Sequence, residues 1–375
     1  MKQFWREQQG VTLIELMAGM AVAIVVVAAG FTALTGSNKA TQINDQAAQT
    51  QQNARVAMDL LSRDLKMAGF GMTAPVGNCT IGGNAAAIVP ADNNPAGADT
   101  GPDSVSLAVP TTSVVAPLWQ LATQVTGGLA ATAIQLNAGA GAAMASAGLA
   151  IGGTISIGGV QSATVTAVDD TMGLANAINA PAIYPVGTTV YVLQCITYQI
   201  IRPNDANVAV CGGNAPCLVR GVADAVAGPR NCNITPNTCV AIAEGIEDLQ
   251  LAYACDGCNT AVNGGVEDRI IDDQGAVNNV FEQTDFVSNS SWAAAPMLPS
   301  TIRLIRLTIV ARQAQNDQGF GEGRNAAIST TAPIIAEDHN PVDGIFVAGD
   351  YNATQYSQQR RRVLTRTIQA RNLGL

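Results

Sequence analysis

Leu16 to Thr35 is a run of 20 residues without a charge, close to the start of a 375-residue chain. A helix of that length covers about 30 Å, the thickness of a bilayer's hydrocarbon core. One carboxylate, Glu15, stands at its entrance. Gly10 closes the short polar leader before it, which carries Lys2 and Arg6 against Glu7. The positive excess of residues 1–10 keeps that end on the cytoplasmic side. An acidic side chain at membrane depth costs roughly 2.5–3.5 kcal/mol at a helix centre and less near its end, so Glu15 requires a partner. A cut after Gly10 creates one. The new α-amino group of Val11 lies one helical turn from Glu15, and an equivalent amine lies on any neighbouring copy. A secretory signal peptide is the plainer alternative, and it wants a small-residue site after the apolar region; Ala28-Ala29-Gly30 imitates one weakly.

The stretch Gly10-Val11-Thr12-Leu13-Ile14-Glu15-Leu16, followed by the apolar helix, resembles the prepilin leader-peptidase site of type IV pilins and of type II secretion pseudopilins. The resemblance implies cleavage between Gly10 and Val11, N-methylation of Val11, and a role for Glu15 in assembly. A second segment, Arg63-Asp64-Leu65-Lys66-Met67-Ala68-Gly69-Phe70-Gly71, is similar to the minor pilins called PilW, as is Gly245–Tyr253. The bare reading of the first of these is a helix end with glycine caps. Many major pilins place a proline in the membrane half of the helix; this chain has none there.

Beyond the apolar run, Ala40, Ile43, Ala47, Ala54, Ala57, Leu61, Leu65 and Ala68 recur at three- and four-residue spacing, with polar residues opposite and Gly69 and Gly71 as a stop. The spacing predicts one long helix through both halves, weakened at Gly30 and Gly36. From Thr73 the chain is poor in charge and punctuated by Gly, Asn and Pro. Short runs at Ser104–Val109, Ala131–Leu136, Thr154–Ile157 and Ala163–Val168 predict a small added sheet or half-barrel. Ala138–Ile151 is too short and too rich in glycine to span a membrane. Thr188–Ile201, apolar on both faces, reads as a central strand. Leu249, Leu251 and Tyr253 alternate as a half-buried strand, and Ile302–Arg312 and Arg362–Ala370 follow. These four long strands predict one antiparallel sheet packed on residues 40–68. The expected fold class is α+β and type IV pilin-like, with a long N-terminal helix on an antiparallel sheet and an extra β-rich insertion. Its expected parts are a leader (1–10), a membrane and assembly half-helix (11–35), an amphipathic half-helix (36–69), the insertion (70–187) and a sheet-bearing head (188–375).

A domain outside the cytosol places its cysteines in an oxidising space. There are eight, Cys79, Cys195, Cys211, Cys217, Cys232, Cys239, Cys255 and Cys258, and eight allow 105 connectivities. Short loops favour Cys211 with Cys217, Cys232 with Cys239 and Cys255 with Cys258, which leaves Cys79 with Cys195. Cys255-Asp-Gly-Cys258 also has zinc-ligand spacing, but no second such pair and no nearby histidine accompanies it.

The chain offers little to catalysis. His339 is its only histidine, which excludes multi-histidine metal sites, and no serine stands in G-x-S-x-G. The acidic pieces Asp268–Asp273 and Glu337–Asp350 have calcium-ligand chemistry and lack the EF-hand spacing. Neither a cofactor nor a resident metal is expected. A net charge of −9 argues against broad nucleic-acid binding, yet five of the 19 Lys and Arg residues fall within Arg360–Arg371. Arg360, Arg361, Arg362, Arg366 and Arg371 suit phosphate contacts in DNA capture; as the charged face of an edge strand they need no ligand. The resemblance implies a minor pilin of type IV pilus assembly, whose partners are other minor and major pilins, the prepilin peptidase, the inner-membrane assembly platform and, before assembly, lipid. It also implies a single inner-membrane pass with the C-terminal domain in the periplasm, and later a place at the cell surface. The alternatives are a type II secretion J-class pseudopilin, or a DNA-capturing or adhesive pilus subunit.

Overall fold

A computed structural model describes residues 11–92, 101–111, 118–126, 132–178, 183–202, 208–212, 215–222, 239–275, 278, 280–313, 336–337, 359–370 and 372. The chain divides into two units, Met1–Gln49 and Thr50–Leu375. Helix α1 (Leu13–Met67) begins in the first and ends in the second.

In the first unit every residue from 11 to 42 is exposed. Gly30 and Gly36 do not interrupt the helix. The polar groups of the apolar run are satisfied locally. Thr32 Oγ1 donates to the Ala29 carbonyl and Thr35 Oγ1 to that of Phe31, each at 2.8 Å. In lipid such back-bonding replaces the water these hydroxyls would otherwise need.

In the second unit the strands are β1 (Thr80–Ile81), β2 (Asn84–Ala85), β3 (Ile88–Ala91), β4 (Ser104–Pro110), β5 (Val125–Thr126), β6 (Ala133–Gln135), β7 (Thr154–Ile157), β8 (Gln161–Ala167), β9 (Thr171–Leu174), β10 (Ile183–Tyr184), β11 (Val190–Ile201), β12 (Cys217–Val222), β13 (Cys239–Glu244), β14 (Ile246–Cys255), β15 (Ile302–Arg312) and β16 (Arg361–Gln369). A short helix α2 (Ala140–Ser146) lies between β6 and β7. The apolar, alanine-rich segment around it was expected only to be too short for a membrane. It forms a helical turn because Asp170 accepts the N–H groups of Gly139 and Gly141 at 2.9 Å each.

The four long strands expected in one sheet are divided between two. β14, β15 and β16 form a three-stranded antiparallel sheet. β11 instead organises a nine-stranded sheet in the order β13-β12-β11-β7-β8-β9-β6, with β3 and β4 off that path. Both β12 and β4 pair with Ile196–Tyr198, so they lie on opposite edges of β11, while β7 pairs with its start, Val190–Leu193. The physical reason is its 12-residue length, which gives it room for three partners. Runs near 104–109 and 154–157 are therefore rungs of the same ladder as β11.

From Thr50 onward one face of α1 is buried: Ala54, Ala57, Met58, Leu61, Leu65 and then Ala68. They share a core with Leu107 and Tyr198 of the larger sheet and Leu249, Leu251, Ile305, Leu307 and Ile368 of the smaller. A second core, around Trp119, Ile134, Met144, Ile155 and Val190, fills the space under α2. β14 was expected to be half-buried and is buried on both faces. Leu249, Leu251 and Tyr253 meet the helix-side core, while Ala252 and Ala254 are covered by Phe286 and Ile271. Asp103 closes its edge, its N–H donating to the Leu249 carbonyl at 2.8 Å and its carboxylate accepting the Leu251 N–H at 2.9 Å.

Candidate processing and assembly site

The chemistry singled out at the N-terminus lies at residues 10–15. Gly10 falls outside the described residues. Val11 is 72% exposed and, with Thr12, precedes the helix, which starts at Leu13. Glu15 is in its first turn. The Thr12 N–H and hydroxyl both donate to Glu15 Oε2, at 3.1 and 3.0 Å. The Glu15 N–H returns toward Thr12 Oγ1 at 3.3 Å. This is a reciprocal capping box, which satisfies donors that a helix start leaves without partners. Its T-x-x-E signature stands in the sequence at residues 12–15. None of the apolar window that follows is buried within the protein.

The segment Arg63–Gly71 at the end of α1 acquires a physical meaning. Asp64 is buried; its Oδ2 accepts the Tyr198 hydroxyl at 2.7 Å and Arg220 Nε–H at 3.0 Å, so the helix is joined to β11 and β12. Arg63 reaches Oδ1 at 3.3 Å. Burial, and then the Asp64 charge, push the Tyr198 hydroxyl well above its ordinary pKa, which keeps it a donor. Gly69 has φ +79° and donates its N–H to Ala108; a Cβ there would lie 2.8 Å from the Asn372 carbonyl oxygen. Gly71, at φ +61°, would push a Cβ to 2.0 Å from Ser156 Oγ. Only glycine fits both the left-handed backbone and the contact. Phe70 between them meets the Tyr191 ring edge-on at 5.2 Å.

The seven cysteines among the described residues are oxidised. Cys79 is bonded to Cys195, Cys211 to Cys217 and Cys255 to Cys258. Cys239 is also disulfide-bonded, and Cys232 falls outside the described residues. The C-x-x-C pair considered for zinc is thus closed on itself.

The acidic loop serves as a set of turn staples. Asp272 accepts the N–H groups of Gly257 and Asn259 at 3.1 and 2.8 Å, and Asp273 accepts that of Asn278 at 2.6 Å. Asp256 accepts those of Asp268 and Arg269. Glu337 pairs with Arg306 and accepts the Thr308 hydroxyl. Among the described residues no group of three or more His, Cys, Asp or Glu side chains is placed to hold a metal ion; residues 338–350 and His339 lie outside them.

Nor do the arginines of β16 form one phosphate-facing row. Arg361 grips Glu247 at 2.6 and 2.9 Å, with its side chain almost wholly buried. Arg366 reaches back to Asp59 of α1 at 2.9 Å and to Ser62 at 3.3 Å. Arg360 and Arg362 are exposed, and Arg371 is outside the described residues. Alternation along the strand puts Arg361 on one face and Arg362 and Arg366 on the other, and Arg361 and Arg366 are each engaged by a carboxylate, so closeness in sequence does not make one open basic surface.

Residues 206–372 match the family model described as Type IV Pilus-assembly protein W, and residues 5–31 match the prokaryotic N-terminal methylation motif. No curated protein is similar to the chain in sequence. Among solved structures, a type IV-like pilin from Thermus thermophilus aligns over 87% of this chain and 97% of its own, at 10% identity and a TM-score of 0.32.

Proposed function

We propose that this chain, which matches the Type IV Pilus-assembly protein W model over residues 206–372 and the N-terminal methylation motif over residues 5–31, is a PilW-like minor pilin of pilus assembly and initiation, with a single inner-membrane pass and an exposed C-terminal domain. In this reading prepilin peptidase cuts between Gly10 and Val11, the new N-terminus is methylated, and the subunit leaves the bilayer by packing its apolar half-helix among other minor and major pilins on the assembly platform. The observation that carries it is the helix itself. Its first half is apolar and wholly exposed, and it opens on a carboxylate five residues beyond the glycine. Such a surface requires lipid or other helices around it. Its role is assembly rather than catalysis.

Intact-mass measurement of membrane-extracted protein tests the reading. The expected product lacks residues 1–10 and carries one methyl group on Val11. Replacing Gly10 by a bulky residue is expected to leave the precursor uncut yet still inserted, since the apolar span is unchanged. A mature N-terminus near Gly30 overturns the proposal. Glu15→Ala is expected to leave insertion intact and to lower the amount recovered in sheared pili.

A further inference from the structure

β16 is the outer strand of its sheet. The Ala370 N–H donates to the Arg303 carbonyl at 3.0 Å and the Gln313 N–H to that of Arg360 at 3.1 Å. The antiparallel register between these two bonds is unbroken. They therefore make Arg362, Leu364, Arg366 and Ile368 the positions bonded to β15, and turn the backbone N–H and C=O groups of Val363, Thr365 and Thr367 outward. No described residue takes up those outward groups. On the face toward α1 the same edge borders a groove of about 260 Å³, lined by Arg55, Met58 and Asp59 of the helix and Leu364, Thr365 and Arg366 of the strand. Its floor is apolar, with Met58 buried and Leu364 half-buried. Its rim is basic. Asp59 is matched by Arg366 at 2.9 Å, whereas Arg55 and Arg362 are exposed and have no ion pair among the described residues.

We propose that β16 is a docking edge for a strand of another protein that carries an acidic, an apolar and an acidic side chain at alternate positions. An added strand bonds its main chain to Val363, Thr365 and Thr367, and its alternate side chains stand opposite Arg362, Leu364 and Arg366, over the groove. An apolar side chain there meets Leu364 and Met58, and the carboxylates on either side meet Arg362 and the wall formed by Arg55 and Arg366. Charge decides against a second copy using the same edge. Antiparallel self-pairing about Leu364 sets Arg362 opposite Arg366, and like charges directly opposite repel. The arginines that guard the edge from its own kind select an acidic strand. Docking here needs no cut after Gly10.

The probe is a fluorescein-labelled peptide of about ten residues, a long strand, built around Glu-Thr-Val-Thr-Glu. It is titrated by anisotropy against the oxidised full chain in detergent, at up to about 1 mM. A peptide with Lys for Glu and an oligothymidine strand are the comparators. The acidic peptide is expected to bind and the lysine peptide not. Arg55→Glu with Arg362→Glu is expected to weaken binding about tenfold or more, since opposite-charge pairs become like-charge ones. Thr365→Pro removes an outward N–H without touching the ladder to β15 and is expected to weaken binding about tenfold. Thr365→Val loses only the hydroxyl bonded to Thr308 and is expected to bind like wild type. Should Thr365→Pro lose the fold, the exposed arginine reversals still decide. No binding of the acidic peptide, equal binding of the lysine peptide, or binding unmoved by the reversals or by a folded Thr365→Pro overturns the proposal. Oligothymidine binding that falls with the reversals and ignores Thr365→Pro, with no binding of the acidic peptide, overturns it in favour of phosphate capture.

Discussion

Replacing Asp64 by alanine removes the acceptor that joins α1 to β11 and β12. Tyr198 is fully buried, and its hydroxyl, 2.7 Å from Asp64, would lose its partner with no access to water. Arg220 keeps 28% of its side-chain surface and Arg63 keeps 54%. Breaking a buried pair by removing one partner costs about 3–5 kcal/mol. Solvent reaches both arginines, so their share is discounted, and the expected loss is about 3 kcal/mol, most of it from the orphaned hydroxyl and the part-buried Arg220. Tyr198→Phe deletes one hydrogen bond to a charged acceptor and is expected to cost about 1.5 kcal/mol. The two changes should not add. In the Asp64→Ala background the hydroxyl has nothing to lose, so Tyr198→Phe should be close to neutral. Urea unfolding of the oxidised full chain in detergent, followed by fluorescence of the buried Trp119 and Trp292, supplies the measurement. Additive losses, or an Asp64→Ala cost under about 1 kcal/mol, would refute the view that this carboxylate clamps the helix to the sheet.

Alkaline titration should weaken the fold. The Tyr198 and Tyr253 hydroxyls are held above their ordinary pKa, chiefly by burial; above about pH 10 the unfolded chain sheds protons that the folded chain retains, so stability falls as pH rises. Tyr198→Phe should flatten that decline, and an unchanged slope in pH-dependent unfolding would count against it. Cys79→Ser with Cys195→Ser opens a loop between residues 116 apart and should cost about 5 kcal/mol. Opening Cys211–Cys217, only 6 apart, should cost about 2 kcal/mol; equal losses in matched unfolding curves would show that loop length is not what these bridges act through.

Much of this protein is written in local pattern. The span from Leu16 to Thr35, the three-four spacing from Ala54 to Ala68 and the glycines at 69 and 71 need only helix geometry, hydrophobicity and backbone sterics to be read. Strands such as Ile302–Arg312 announce themselves by composition for the same reason. The T-x-x-E cap at Thr12 is equally local, since both of its partners lie within one helical turn. What pairs with what was decided elsewhere. Nothing in Val190–Ile201 states that it will leave the sheet of β14 and β15 and take β4, β7 and β12 as partners, because register is settled by the competition among all available edges. Asp64 reads as an ordinary helix carboxylate until Tyr198 and Arg220, 134 and 156 residues away, are brought beside it. The arginines of β16 look like one basic patch until the pleat sends Arg361 to Glu247 and Arg366 to Asp59. Periodicity is carried by neighbours along the chain, whereas partnership depends on segments that meet only once the two sheets close over the helix.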